Sequence, residues 1–399
     1  MQISRRHLVL SLASAPCAAA WGATQPSWQA VLEAARGQTV YFNAWAGSEV
    51  INRYIQWAAA QLAQAHGIKL AHVKISDAAE VVQRLRTERA VGRGPGQGSV
   101  DLVWINGENF AALKSEGLLF GPFANRLPNW SLVDVVGKPS VKLDFAVPTE
   151  GYESPWGMAQ LTFFADSRRL PKPPQSMADL LALARANPGR ITYPRPPNFH
   201  GTTFVKQALL ETTANPAALL QPMAPAQAEA ALAGLWQYLD ALHPHLWRQG
   251  RQFVQNQGAM RQMFTDGELL LAFTFNPNDA ANDIAAARMP PTVQSWQFPR
   301  GTLGNTHFVA IPFNAPHVAA AQVVANFLLS PQAQAHKANP AVWGDPTVLD
   351  VARLPPAARQ RFVASLLPGQ VQQPAPALLE PHASWVQALE QGWAARYGS

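Results

Sequence analysis

β-Prone runs alternate with helix-patterned segments in the first third of the chain, and this alternation constrains the fold more than any other feature. Three such runs, at residues 39–43, 69–75 and 101–105, are each followed by a segment with helical spacing of its apolar residues. Asp77 and Glu80 have the spacing of a capping box, which predicts where the second helix begins. A β-α-β-α-β-α order requires mostly parallel strands with helices on both faces of the sheet. The sequence therefore predicts an α/β fold.

A second unit of the same kind follows residues 149–160, where glycine, proline and polar residues accumulate. Its elements alternate along the chain, with strands predicted at 161–165, 190–193, 269–275 and 308–313 and helices at 176–187, 202–211 and 318–329. No apolar run after the N terminus reaches the roughly 20 residues that span a bilayer. We therefore predict two α/β units and exclude a polytopic membrane protein.

Composition excludes several other classes of protein. Apolar residues make up 48% of the chain and charged residues 14%, which excludes a disordered chain or a coiled coil. The net charge of +6 is modest and is not concentrated in a Lys/Arg tract, so we expect no nucleic-acid partner. Cys17 is the single cysteine, which excludes a disulfide framework and a cysteine zinc site.

The N-terminal residues have the pattern of an export signal. Arg5 and Arg6 precede a short apolar stretch at 8–15, and three alanines at 18–20 suit signal cleavage. The sequence SRRHL resembles a twin-arginine signal, and an ordinary secretory signal is the alternative. Pro16 directly before Cys17 argues against lipid attachment at that cysteine. We predict a signal peptide at 1–23 and a periplasmic protein.

Five segments of the chain resemble the extracellular solute-binding proteins of ABC importers, of the two-lobed type. They are residues 39–45, 99–110 (SVDLVWINGENF), 152–170, 267–277 and 308–332 (FVAIPFNAPHVAAAQVVANFLLSPQ). The last is the most specific, because it resembles the "A-I-P-x-x-A-P … F-L-L-S-P" segment of that family. The third departs from the family pattern, since it ends in ADSRRL where "Y-N-x-x-L" is frequent. The branch with thiamine-, polyamine- and iron-binding members is the most similar.

The resemblance implies a type II two-lobed fold, with a mostly parallel sheet in each lobe and a ligand cleft between the lobes. Lobe one would comprise 24–155 plus 306–345, and lobe two 156–305 plus 346–399. Crossing strands would form a hinge, and ligand would favour the closed form through contacts with both lobes. The resemblance also implies a monomeric receptor without a cofactor, which delivers a small solute to inner-membrane ABC permease subunits.

Candidate ligand residues follow from a rule that is independent of the resemblance. In open α/β sheets, ligands bind beyond the carboxyl ends of strands, near free N–H groups of helix N-termini. The loops at these ends, together with the crossovers, contribute Asn43, Trp45, Ser48, Asn106, Glu108, Asn109, Trp156, Asn198, Phe199, Asn276, Asp279, Trp343 and Asp345.

The chemistry of this set favours a cationic or heteroaromatic solute, such as thiamine or a polyamine. Tryptophan faces attract cations and stack on flat rings. Glu108, Asp279 and Asp345 could neutralise a positive ligand, and asparagine amides can both donate and accept hydrogen bonds. A sugar-binding receptor of the same fold is the alternative. Ferric ion is disfavoured, because iron-binding relatives have adjacent tyrosines and none of the 6 tyrosines here has a tyrosine neighbour.

Each candidate also has a structural alternative. A tryptophan of the set can pack in a core instead of facing ligand. Glu108 can cap the helix that is predicted from Asn109. Asn276 and Asp279 can form an Asx turn around Pro277.

The sequence gives little support to an enzyme. It contains no G-x-S-x-G nucleophile elbow, H-E-x-x-H zinc helix or G-x-x-x-x-G-K-[ST] phosphate loop. The glycine-rich residues 92–98 precede a strand, whereas a phosphate loop follows one. His243 and His245 lack a third metal ligand nearby. We therefore predict no catalytic residue and no metal site, and an exported hydrolytic enzyme stays the alternative because triads assemble from distant residues.

Overall fold

The computed structural model describes residues 26–362 and 367–398. The predicted signal peptide at 1–23, with Cys17, lies outside the described residues. Among the described residues, no helix has the length and apolarity needed to cross a membrane.

The strands, in chain order, are β1 (Thr39–Trp45), β2 (Lys69–Ile75), β3 (Leu102–Ile105), β4 (Leu143–Asp144), β5 (Val147–Pro148), β6 (Glu153–Gln160), β7 (Thr162–Asp166), β8 (Leu271–Thr274), β9 (Val293–Trp296), β10 (Thr302–Ala310) and β11 (Ala377–Leu378). The α-helices are α1 (Trp28–Ala35), α2 (Glu49–His66), α3 (Ala79–Ala90), α4 (Glu108–Ser115), α5 (Met177–Ala186), α6 (Phe199–Thr212), α7 (Pro225–Leu242), α8 (Gln257–Thr265), α9 (Asp279–Ala285), α10 (Val318–Leu328), α11 (Pro331–Ala338), α12 (Pro356–Arg359) and α13 (Ser384–Tyr397).

The larger sheet has the order β11-β10-β3-β1-β2, and β6 pairs with β10 beside this path. β1 runs parallel to β2 and to β3, as the alternating pattern predicts, and its residue Asn43 pairs with Val73 and Val103. β10 runs antiparallel to β3 and to β6. Leu102 packs on one face of this sheet and Val103 on the other, with helices covering both. We refer to the apolar residues on both faces as the first core.

The smaller sheet has the order β8-β7-β9, and its strand directions differ from the prediction. The α/β fold class is confirmed, but this sheet is antiparallel at both pairings where a mostly parallel sheet was expected in each lobe. The reason is that β7 follows β6 after the single residue Leu161 and lies between β8 and β9, which both run against it. The apolar residues around this sheet form the second core.

β6 and β10 connect the two cores. They pair antiparallel from Gly304 opposite Gln160 to Ala310 opposite Glu153. Along β10, Leu303 packs in the second core and Val309 in the first. This strand pair therefore joins two separately packed bodies.

The chain after α11 contributes to both cores. Val348, Leu349 and Leu354 pack in the first core, although the predicted boundary assigned residues 346–399 to lobe two. Trp385 and Trp393 of α13 pack in the second core. The change from one core to the other therefore comes after Leu354.

Helix starts follow the predicted capping signals closely. The Glu80 carboxylate accepts the Asp77 N–H at 3.1 Å, and Asp77 Oδ1 accepts the Ala79 N–H at 2.8 Å. Ser176 Oγ accepts the Asp179 N–H at 3.1 Å and begins α5. These bonds satisfy N–H groups that have no partner within the helix.

Candidate ligand-binding site

The loops after β1, β2 and β3 lie at one edge of the larger sheet, because these strands are parallel. The Ala46 N–H donates to the Ile75 carbonyl at 3.3 Å, which joins the first loop to the end of β2. Asn52 Nδ2 donates to the Ala46 carbonyl at 3.1 Å and fixes the same loop from α2. The loops that were selected because they follow strand ends therefore do lie together at one edge of the sheet.

In the first loop, the three candidates differ in exposure. Asn43 is buried in β1, where its amide donates to the Tyr41 carbonyl at 3.3 Å and accepts from Arg84 at 3.2 Å. Trp45 is half-buried, and a Cβ at Gly47 would overlap its ring. Ser48 is at the N-cap position of α2 without a side-chain capping bond, so its hydroxyl is available.

The third loop presents Glu108 from the first turn of α4. Gly107, at φ 65°, turns the chain and donates its N–H to Asp144 Oδ2 at 2.7 Å. The Glu108 side chain is exposed, and Asn109 Nδ2 donates to its Oε1 at 3.3 Å. Asn106 is half-buried beside it. This loop therefore presents a carboxylate and two amides to solvent at the sheet edge.

The electrostatic environment of Glu108 is set from both cores. Restricted hydration by the surrounding protein raises its pKa to about 7, although the side chain reaches solvent. Lys206 opposes this rise, whereas the negative charges of Glu390 and Asp77 add to it. Lys206 and Glu390 belong to α6 and α13 of the second core, so Glu108 faces that core.

Helices α6 and α13 form the opposite side. Lys206 is buried and pairs with Glu380 at 2.7 Å. Thr202 Oγ1 donates to Glu390 Oε1 at 2.8 Å, and burial raises the pKa of Glu390, with Asp77 adding to the rise. A small apolar cluster joins the two sides below these charges, formed by Phe145, Ala383 and Val386 with Ala111 and Phe199 around them. Glu108 and Glu390 lie on opposite sides of this junction, and we call them the facing carboxylates.

The start of α6 holds two candidates in structural roles. Asn198 Oδ1 accepts the His200 N–H at 3.1 Å and caps the helix. Phe199 is half-buried and contacts Phe275 edge to face, with 5.3 Å between ring centroids. His200 is half-buried beside them, and burial lowers its pKa to about 4. The imidazole in the first turn of α6 is therefore neutral at neutral pH.

The loop after β8 forms the predicted Asx turn. Asn276 Oδ1 accepts the Asn278 N–H at 3.0 Å, while its Nδ2 donates to the Trp343 carbonyl at 3.3 Å. Asp279 opens α9 and accepts from Gln257 at 3.2 Å. Burial raises the pKa of Asp279, and Arg261 opposes the shift. The turn thus docks the second core on the segment around Trp343.

Trp156, Trp343 and Asp345 are brought together, but inside the first core. The centroids of the Trp156 and Trp343 rings are 5.5 Å apart, and both side chains are almost fully buried. Asp345 is ion-paired with Lys337 and accepts from His307 at 3.1 Å. Its charge is therefore balanced within the protein, and the two tryptophans follow the core-packing alternative.

Sequence reasoning missed several residues of this region. Lys206 and Glu390 lie in helices whose local pattern does not show what they face. Val386 is apolar and packs in the cluster between the two sides, and Glu390 follows it by one helical turn. Residues four apart lie on the same helix face, so this spacing was the available sign that Glu390 faces the first core. Trp104 is half-buried in β3, with its ring 4.9 Å from that of His307. The pairing of Lys206 with Glu380 gives no local signal, because the two are far apart in sequence.

Comparison with known proteins agrees with this architecture. The sequence profile described as "Bacterial extracellular solute-binding protein" matches residues 57–361. Protein YnjB of Escherichia coli (strain K12) is 50% identical over 372 residues, which is 93% of this chain and 94% of YnjB.

Solved structures of low sequence identity share the fold. The periplasmic binding protein AfuA from Actinobacillus pleuropneumoniae, with fructose-6-phosphate bound, is 16% identical at a TM-score of 0.62 and covers 90% of this chain and 99% of AfuA. The spermidine/putrescine substrate-binding protein PotD from Streptococcus pneumoniae is 13% identical at a TM-score of 0.59, over 90% of this chain and 98% of PotD. A Bordetella ferric binding protein is 16% identical at a TM-score of 0.58. The match covers 90% of this chain and 99% of that protein.

Proposed function

The chain belongs to the family of bacterial extracellular solute-binding proteins, and on that premise we propose that it captures a cationic organic solute between its two cores. The solute would be a small organic cation, heteroaromatic or polyamine-like. The protein would then deliver it to the permease subunits of an ABC importer.

The facing carboxylates carry this proposal. Glu108 and Glu390 come from different cores. Burial is the main cause of the raised pKa of Glu108, and the charge of Glu390 adds to it. Two like charges that approach each other are unfavourable until a cation lies between them or one carboxylate takes up a proton. At Glu108 the charge of Lys206 outweighs that of Glu390, although Glu380 also engages the Lys206 ammonium. A bound organic cation would relieve the repulsion and would contact both cores at once.

Hinge closure would couple solute binding to the relative position of the two lobes. We propose that the first core is lobe one, comprising 24–158 and 306–354, and that the second core is lobe two, comprising 159–305 and most of the remaining chain. β6 and β10 would serve as the hinge, since they are the paired strands that pass between the cores. A ligand that contacts both lobes shifts the population towards the closed form.

The remaining candidates divide by exposure. Trp45, Ser48, Asn106 and Asn109 are accessible at the sheet edge, and we propose that they contact the solute with Glu108. Asn43, Asn198, Phe199, Asn276 and Asp279 are engaged by protein groups and would shape the site. Trp156, Trp343 and Asp345 would support it from within the first core.

We also propose that the predicted signal at 1–23 exports the protein and that it acts as a monomer in the periplasm. Membership of an extracellular family supports export. Cell fractionation of the wild type and of a variant with Arg5 and Arg6 both replaced by Lys tests the twin-arginine route. Retention of the variant in the cytoplasm is expected.

Ligand titration tests the proposed function directly. The purified protein is unfolded and refolded to remove carried-over ligand, and tryptophan fluorescence is followed during titration with thiamine, spermidine, putrescine, glucose, fructose-6-phosphate and ferric citrate. We expect saturable one-to-one binding of one cationic compound. Glu108→Gln and Glu390→Gln should each weaken binding about tenfold or more, as loss of a charge-assisted contact predicts. Glu229→Gln removes an exposed charge on α7 and serves as the matched control. Binding of a neutral or anionic sugar alone would contradict the cationic assignment.

A further inference from the structure

A second groove lies on the second core, away from the facing carboxylates. It has a volume of about 470 Å³, which is within the range of small-molecule sites. Its polar lining comes from the end of α7, the turn at Trp247–Gly250 and the end of α13, and comprises Asp240, His243, Gln249, Arg251, Arg396 and Tyr397.

Two arginines line this groove without a carboxylate partner in the described part of the chain. Arg251 and Arg396 form no ion pair within 26–362 and 367–398, and Arg396 lies over the Trp236 ring at 4.6 Å from its centroid. Asp240, the acidic residue in the lining, accepts the Tyr397 hydroxyl at 2.7 Å. The groove therefore keeps a net positive charge.

A neutral histidine lies in the wall of the groove. Trp393 Nε1 donates to Tyr193 Oη at 2.8 Å, and Tyr193 Oη lies 2.7 Å from His243 Nε2. The indole can only donate, so the buried Tyr193 hydroxyl accepts from it and donates its own proton to Nε2. Burial lowers the pKa of His243 to about 4, although Asp240 opposes the shift. The imidazole is therefore neutral with its proton on Nδ1, which is buried and has no hydrogen-bond partner in the described part of the chain.

The turn beside His243 is held in a strained conformation. Arg248 and Gln249 have φ of 51° and 57°, and Gly250 follows at 64°. Left-handed backbone costs about 1–2 kcal/mol for each residue other than glycine. Gly250 is needed for close packing, since a Cβ there would lie 2.7 Å from the His243 Cβ. Strain of this kind persists where the surroundings impose it, and it is frequent at functional sites.

We propose that this groove is a second binding site, for a small ligand that carries a carboxylate or phosphate group. Arg251 and Arg396 would bind the oxyanion through their planar guanidinium groups, and the neutral His243 ring would form part of the wall beside it. The site is independent of the cationic solute proposed for the region between the cores. It lies on lobe two alone, so its occupancy does not require hinge closure.

Calorimetric titration of the full chain with inorganic phosphate and with citrate, against chloride at equal ionic strength, tests this site. We expect saturable binding of at least one of the two, and the stronger one identifies the phosphate or carboxylate class. The double variant Arg251→Gln/Arg396→Gln should bind about tenfold or more weakly, because two charge-assisted contacts are lost. Arg185→Gln removes an exposed arginine of α5 and should bind as the wild type does. Glu108→Gln should also leave anion affinity unchanged.

An NMR measurement on the wild type keeps the test independent of variant folding. Long-range ¹H–¹⁵N spectra should show His243 as the Nδ1–H tautomer, and its resonance should shift during anion titration. Three results would overturn the proposal: absence of saturable binding of either anion, equal affinity in a folded double variant, or a His243 resonance that anion leaves unmoved. Loss of anion binding in Glu108→Gln would place the anion between the cores and would overturn it too.

Discussion

Lys206 and Glu380 form an ion pair in which both side chains are almost completely buried, with 2.7 Å between Nζ and Oε2. The ammonium also lies 4.0 Å from the centroid of the Phe145 ring. This pair is at the base of the region where α6 faces α4. It therefore combines a structural role with control of the charge near Glu108.

Replacing Lys206 by Met should destabilise the protein by about 3–5 kcal/mol, because Glu380 then remains buried without a counter-charge. The double variant Lys206→Met/Glu380→Gln should recover most of that loss, since no buried charge is left unpaired. Urea unfolding followed by circular dichroism measures both. The exposed pair of Arg53 and Glu49 is the control, and Arg53→Met should cost less than about 1 kcal/mol. A double variant as unstable as the single one would contradict the explanation.

Glu153 should make stability depend on pH. It is fully buried at the start of β6, and neither carboxylate oxygen has a hydrogen-bond partner among the described residues. Burial raises its pKa well above the ordinary value, with Asp144 adding to the rise and Lys114 opposing it. The folded state therefore holds a proton that the unfolded state releases. This contribution to stability is complete below the unfolded pKa and is lost as pH rises towards the folded pKa.

Glu153→Gln should accordingly melt at a higher temperature than the wild type at about pH 8, and the difference should shrink at about pH 4.5. Differential scanning calorimetry at several pH values measures the difference between the two proteins. Glu49→Gln, at an exposed position on α2, should show no such trend. If the advantage in melting temperature of Glu153→Gln over the wild type grew as the pH fell, the pKa of Glu153 would not be raised in the folded state.

Trp343 and Trp45 should respond differently to truncation. Trp343 is buried against Trp156, so Trp343→Ala should destabilise by about 3–5 kcal/mol. Trp45 is half-buried at the sheet edge, so Trp45→Ala should cost less stability but weaken solute binding. Chemical denaturation and solute titration are measured on both variants. Strong destabilisation by Trp45→Ala with unchanged solute affinity would remove Trp45 from the proposed site.

Local sequence patterns were enough to predict most of the elements of the larger sheet. The runs at 39–43, 69–75 and 101–105 lie in or overlap β1, β2 and β3, and the parallel order follows from the helices between them. Strand direction in the smaller sheet was not predictable in this way. β7 enters that sheet from β6, and this depends on the long-range pairing of β6 with β10.

The candidate site was predicted in part. The rule of strand ends found the loops at Trp45 and Glu108, because parallel strands bring their carboxyl ends together. It could not separate exposed from buried aromatic residues, so it included Trp156 and Trp343, which pack in the first core. It also missed Glu390, because the side that faces Glu108 is built from helices whose contacts join distant parts of the chain.

Solute binding should depend on pH through Glu108. Its pKa is raised to about 7, mainly by restricted hydration, so the carboxylate is largely protonated below that pH and ionised above it. A cation binds the ionised form, and binding in turn favours loss of the proton. Affinity for a permanent cation such as thiamine should therefore rise by up to about tenfold per pH unit below 7 and level off above it.

Calorimetry between about pH 5.5 and 8.5 would measure this profile, with buffers of different ionisation enthalpy to count the protons released on binding. Glu108→Gln should bind weakly at every pH and release no proton through this group, because the titrating carboxyl is absent. Glu229→Gln should keep the wild-type profile, since Glu229 is exposed on α7 and contributes to the pKa of neither Glu108 nor Glu390. If the cation binds with the same affinity and proton release across this range in the wild type, Glu108 is not its counter-charge, and the site between the cores must be assigned to other residues.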